Sequence, residues 1–169
     1  AALVADDFLD LAATADYATY APCLTVMLGL ADDKLLPKIP VKSPQHNIGW
    51  AVCETARPAA ARHLPALTIQ AESAWSAAHK NDKTESIIKQ MIEKYQMAIG
   101  CQIGEVLHAY VHYWLYAKVT KPCPADSIIC QKNLAIAGDW LGGARIENAF
   151  VSGRRAFMAL HQAHARSSI

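Results

Sequence analysis

No CxxC spacing occurs anywhere in the 169 residues, and the five cysteines (Cys23, Cys53, Cys101, Cys123, Cys130) are odd in number. That argues against a disulfide framework or a zinc site, and for buried thiols in a reducing compartment, so a cytoplasmic location is expected. A basic excess is missing as well. Sixteen Lys and Arg face fifteen Asp and Glu for a net charge of +1, spread along the chain. Nothing resembles the basic patch or stripe of a nucleic-acid binder. No apolar run reaches the ~18 residues of a membrane span. The longest carry Glu105, His108 or Asp139 inside them or at their edges. The opening "AALVADDFLDL" is acidic and has no basic n-region, so it does not read as a signal peptide. It starts on Ala1 rather than Met, as a processed or excised piece would, and as simple Met removal before Ala would also leave it. There is no GxGxxG and no GxxxxGK[ST], and internal repeats and low-complexity blocks are absent too.

What is present is a globular composition. A hydrophobic fraction of 53% against 18% charged residues is incompatible with disorder, and the length is enough to bury a core. Val4, Phe8 and Leu11 recur at helical spacing and predict a short first helix. "CLTVMLGL" (23–30), "IGWAVCET" (48–55) and "ALTIQAES" (66–73) read as strands, the latter two as a long-loop hairpin. Between the first two, "ADDKLLPKIPVKSPQHN" holds three prolines and reads as a loop. "ARPAAARHLP" breaks the second strand from the third. Ser73 leads into one or two helical turns, "AWSAAHKN".

A clear amphipathic helix follows, with Ile88, Met91, Ile92, Tyr95 and Ile99 on one face, Thr84 as its N-cap and Gly100 at its exit. "VLHAYVHYWLYAKV" is aromatic and β-branched, and reads as a strand. A buried strand is expected at 134–137. The last helix starts near Ala144 with a buried stripe of Ile146, Ala149, Phe150, Gly153, Phe157 and Leu160, and the tail "ARSSI" frays. This order predicts an α+β fold, a mainly antiparallel sheet with helices on one side.

The stretch "AGDWLGGARIENAFVSG" (137–153) carries the most chemistry. Strand, glycine turn and helix make an anion site when unpaired N–H groups and the positive helix end face a ligand. Gly142 and Gly143 remove side chains where a ligand or backbone would approach. Asp139 is placed to accept from ribityl or ribose hydroxyls. The same residues also read as a plain tight turn with Asp139 as its cap.

"GDWLGGARIENAFVSGRRAF" resembles the C-terminal signature of the flavin-dependent amine-oxidase superfamily, and within it the renalase-like branch, whose members end close to "GDWxGGxRVEGAxLSG". The resemblance continues upstream. "YAPCLTVMLGL" is similar to that branch's "apCwalml" and "IGWAVCETARP" to its "laWvarnssKPgR", though Arg57 and Pro58 match only loosely. "TIQAESAWSAAHKND" is similar to its "wvvhaspeWSraHle" and "HYWLYAKVTKP" to its "hrWrYA.p..p".

The resemblance implies a substrate-binding-like domain over residues 1–130 and a strand and helix returning to a FAD domain over 131–169. It implies that Gly138, Asp139, Trp140, Gly142, Gly143, Arg145, Ile146 and Ala149 approach the flavin, with Asp139 beside the ribityl–phosphate segment and Trp140 close to the ring. The backbone N–H groups near Arg145 and Ile146 would point at the pyrimidine end, where a positive helix end stabilises the reduced ring. Glu147 and Ser152 match the motif and read equally as structural. Asn148 departs from the usual Gly.

It further implies an aromatic pocket wall from Trp114 or Tyr116, and a small-molecule hydride donor of amine or dihydronicotinamide type. No residue is assigned as catalytic. FAD would be held only in part, and the rest of its site would come from a missing domain, a partner FAD-domain chain or self-association. The alternative is a non-catalytic binding or assembly module without flavin. His108 and His112, four apart, lack the carboxylate of a metal set, so no metal is expected. Cys23 has no neighbour that would make it a nucleophile. Trp75 and His79 are expected to pack the short helix on the sheet.

Overall fold

The computed structural model describes residues 7–56 and 64–167. In chain order it has α1 (Leu9–Tyr17), β1 (Thr19–Leu30), β2 (Val41–Ser43), β3 (Ile48–Cys53), β4 (Ala66–Ala71), α2 (Ser73–Ala78), α3 (Thr84–Ile99), β5 (Val106–Lys121), β6 (Cys130–Gln131), β7 (Leu134–Ala135) and α4 (Ile146–Ser167). Val4, Arg57 and Pro58 lie outside the described residues, as do most of the loop "ARPAAARHLP" and the end of the tail. Two compact units form, residues 22–117 and residues 1–21 with 118–169.

In the 22–117 unit the sheet runs β2-β3-β4-β1-β5. β1 pairs antiparallel with β4 (Val26 opposite Ile69), and β4 with β3 (Ile69 opposite Ala51). Side chains alternate across a strand, so Leu24, Val26, Leu28 and Leu30 share a face with Leu67, Ile69 and Ala71 and with Ala51 and Cys53. That face is covered by Ile87, Met91 and Tyr95 of α3 and by Trp75 of α2. Each large side chain so buried contributes about 1.5–3 kcal/mol. α2 is fastened by Ser76, whose hydroxyl accepts the Leu24 N–H and donates to Glu72 C=O, both at 2.9 Å. The expected α+β sheet with helices on one side is therefore present.

Details differ from the periodicity. The proline-rich segment contains β2, because a neighbouring edge gives its N–H and C=O groups partners that the sequence does not show. β3 ends at Cys53 and runs into a 3-10 turn over 54–56. In α3 the buried line is Ile87, Met91 and Tyr95, with Ile88 and Ile92 only partly covered. Lys83, not Thr84, stands at its cap, and no side chain caps that end. Gly100 closes it at φ +72°, its N–H bonded to Gln96 C=O at 2.9 Å.

In the other unit, the buried strand expected at 134–137 is a correction. Only Leu134 and Ala135 pair, in a hairpin with β6, and they are half-buried while Ala137 is exposed. A two-residue ladder with one neighbour cannot be covered on both faces as a sheet strand is. A small apolar cluster of Cys123, Ile129 and Leu141 lies beside it. The stripe expected for α4 is a second correction. Ser152 and Ala156 are buried and Ala149 is half-covered, whereas Ile146 (87% exposed), Phe150 (68%) and Phe157 (68%) face outward. Ser152 packs against the Gly138 backbone through its hydroxyl, and the large side chains are left outside.

Candidate functional site

The turn before α4 is assembled by backbone. Cys123 N–H donates to Trp140 C=O at 2.7 Å, and Gly142 N–H to Cys123 C=O at 2.8 Å, making a parallel bridge that fixes the strand-like approach. Leu141 turns inward and Trp140 is half-buried, while Asp139 stays exposed. The chain then reverses through Gly142 (φ +81°) and Gly143 (φ +137°), a combination that only glycines adopt without strain. The Asn148 amide donates to Gly142 C=O at 3.3 Å and Gly143 C=O at 3.0 Å, filling the space a Cβ on Gly143 would need.

The N–H of Arg145 is taken by Gly143 C=O at 2.9 Å. Those of Ile146 and Glu147 start the helix, where no preceding turn supplies carbonyls. Gly138 is held from the other side. Ser152 Oγ accepts its N–H at 3.0 Å and lies 2.9 Å from its carbonyl. Of the expected flavin-facing residues, Asp139, Gly142, Arg145 and Ile146 are thus exposed around one turn, and Gly138, Trp140, Gly143 and Ala149 stand half-buried behind them.

In the 22–117 unit, the sheet face away from α3 is open. Alternation along β5 places Ala109, Val111 and Tyr113 against the core and His108, Tyr110, His112, Trp114 and Tyr116 on the opposite face. Trp114 (51% exposed) and Tyr116 (72%) belong to that face, and the His112 and Trp114 rings meet at 4.2 Å. Trp50 of β3 adds to it with Lys42 Nζ 5.1 Å above its ring. His79 stacks on Trp75 at 4.0 Å, as a packing role requires. Burial pushes the Cys23 thiol up, partly offset by Thr25 and the Ala71 carbonyl. Among the described residues, no group of His, Cys, Asp and Glu could hold a metal.

One polar cluster is not legible in the sequence because its members come from two segments distant in the chain. The Asp33 carboxylate accepts from Lys38 Nζ at 2.8 Å, from Cys53 Sγ at 3.1 Å and from Thr55 Oγ1. These donors hold its carboxyl well below the usual carboxylate range. Lys38 Nζ stands 4.0 Å from Cys53 Sγ. Among the described residues, the fully buried Tyr95 hydroxyl of α3 has no hydrogen-bond partner.

No family model matches the chain. Among solved structures it is similar to a protein of Exiguobacterium sp. 255-15 provisionally named a protoporphyrinogen oxidase, with a TM-score of 0.59 at 12% identity. The likeness covers 89% of this chain and 35% of that one, so the chain spans about a third of the length of the structure it matches. What the two share is the fold.

Proposed function

We propose that this chain is the substrate-side and closing part of a FAD-dependent oxidoreductase, with residues 131–169 as the returning strand and helix and the preceding residues as a substrate-binding-like domain. The observation that carries the reading is the turn before α4. Gly142 and Gly143 adopt left-handed angles, Asp139 is exposed, and α4 begins at Ile146, where the first N–H groups have no preceding turn to bond. Those groups fit the pyrimidine and ribityl end of a flavin: backbone N–H donors for carbonyl oxygen and ring nitrogen, and a carboxylate for hydroxyls. They do not fit the adenosine diphosphate half, for which the chain has no GxGxxG turn. Bound flavin would supply the hydride-accepting chemistry. The chain's own part would be to hold the ring by the α4 N-terminus and stabilise negative charge there. Within the 22–117 unit, Trp114 and Tyr116 would form an aromatic wall for the substrate.

The outward Ile146, Phe150 and Phe157 of α4 support completion by a FAD-domain chain or segment, since monomers seldom expose such a row. The substrate class proposed is a small amine-type or dihydronicotinamide-type donor. The deciding measurement is native mass spectrometry of the purified protein with its absorption spectrum. Flavin bands at about 370 and 450 nm, with a GxGxxG-bearing chain or a second copy in the complex, are expected. A colourless and stable single chain overturns the proposal and leaves a binding or assembly module without flavin.

A further inference from the structure

We propose that Cys53 and Lys38 form an oxidation-driven covalent link, a sulfenamide, that staples the segment carrying Asp33 and Lys38 to the end of β3. The argument does not depend on flavin. Lys38 Nζ is 4.0 Å from Cys53 Sγ, and the Asp33 carboxylate touches both, at 2.8 Å and 3.1 Å. Amine and thiol are therefore held side by side by one shared acceptor. Thr55 Oγ1 lies 3.1 Å from the same sulfur and also bonds Asp33.

The second observation is Tyr95. Its hydroxyl is fully buried, lacks a partner among the described residues, and belongs to the same core cluster as Cys53. Burial, with the Cys53 and Cys101 thiols, pushes this phenol up to about 12, so it remains a hydrogen-bond donor. A buried donor with nothing to bond to is costly.

The chemistry balances in two steps. A hydroperoxide oxidises the thiol to sulfenic acid: an S–O bond forms, the O–O bond breaks, and the peroxide leaves as water or alcohol. The Lys38 amine then attacks that sulfur, the S–N bond forms, the S–O bond breaks, and water departs. The ammonium first loses a proton to the mildly alkaline solvent, to which the Lys38 side chain is 54% exposed. No further oxidant is required.

The test is peptide mapping of the full chain after hydrogen peroxide in mildly alkaline buffer. The expected product is a Lys38–Cys53 cross-linked peptide pair about 2 Da lighter than the sum of its parts, released by a thiol reductant. Its formation should be lost in Lys38→Met. Three results overturn the proposal: Cys53 still reduced when Cys101 and Cys130 are oxidised, Cys53 carried to sulfinic acid without a link, or a Cys53–Cys101 disulfide instead. Mapping of the unaltered chain decides this even if a variant fails to fold.

Discussion

Ser152 and Gly138 are locked together across 14 positions of chain. The serine hydroxyl accepts the glycine N–H at 3.0 Å and points back at the glycine carbonyl at 2.9 Å, while also lying 2.9 Å from Ala149 C=O. The hydroxyl is buried, and it couples the "GDW" approach to the second turn of α4. Ser152→Ala leaves the Gly138 N–H without that acceptor. We expect a loss of about 1–3 kcal/mol in denaturant unfolding of the 1–21 and 118–169 unit. Amide exchange should accelerate at Gly138 and along α4. Unchanged exchange there would show that the bond holds nothing.

The turn itself can be tested at Gly143. A Cβ there meets the Asn148 amide and forces an L-residue to φ +137°. Gly143→Ala should cost about 1–3 kcal/mol, whereas Gly153→Ala, which meets nothing within 4 Å, should be neutral or slightly stabilising in the helix.

The outward row on α4 predicts a separation of stability from association. Phe150→Asp and Phe157→Asp remove exposed side chains, so unfolding of the chain alone should change by less than about 0.5 kcal/mol. If α4 docks on a FAD-domain chain or a second copy, both variants should abolish the complex seen by native mass spectrometry. Retained complexes would place the docking surface elsewhere.

Asp33 predicts a pH dependence with a definite sign. Its donors lower the folded-state pKa below the unfolded value of about 3.9, so the folded state binds fewer protons. The contribution is present above that value and is lost as pH falls through it. Asp33→Asn should lower stability at neutral pH by roughly 1 kcal/mol, since the site is partly screened by solvent. The gap between variant and parent should close in acid, and thermal melts across that window will read it.

Tyr95 predicts the opposite of most core substitutions. Its hydroxyl is buried without a partner, so Tyr95→Phe should be neutral or stabilising by up to about 2 kcal/mol. Ile69→Ala, on the same core face, should cost about 2–5 kcal/mol.

Much of the fold was legible because burial in a sheet imposes period two and burial of a helix imposes period 3.6. β1, β3, β4, β5 and α3 announce themselves this way, and Gly100 marks an end through the angle it must adopt. β2 was not legible, since three residues among prolines become a strand only when an edge offers them hydrogen bonds. The candidate site divides similarly. Gly142 and Gly143 are readable as a special turn, but Asn148 filling it is not, because a side chain's target lies in space rather than in sequence.

By itself, then, the sequence determined the class of fold, the position of the glycine turn and the absence of a GxGxxG front, because these depend on local patterning and on residue types being present or missing. The tertiary structure alone decided which face of α4 is covered. Apolar periodicity picks Ile146, Phe150 and Phe157, yet the covered face carries Ser152, bonded to the Gly138 backbone, and Ala156, and the large side chains lie outside. It also alone decided that Asp33, Lys38, Cys53 and Thr55 share one carboxylate, since no spacing rule links residues brought together by a loop folding onto a strand end.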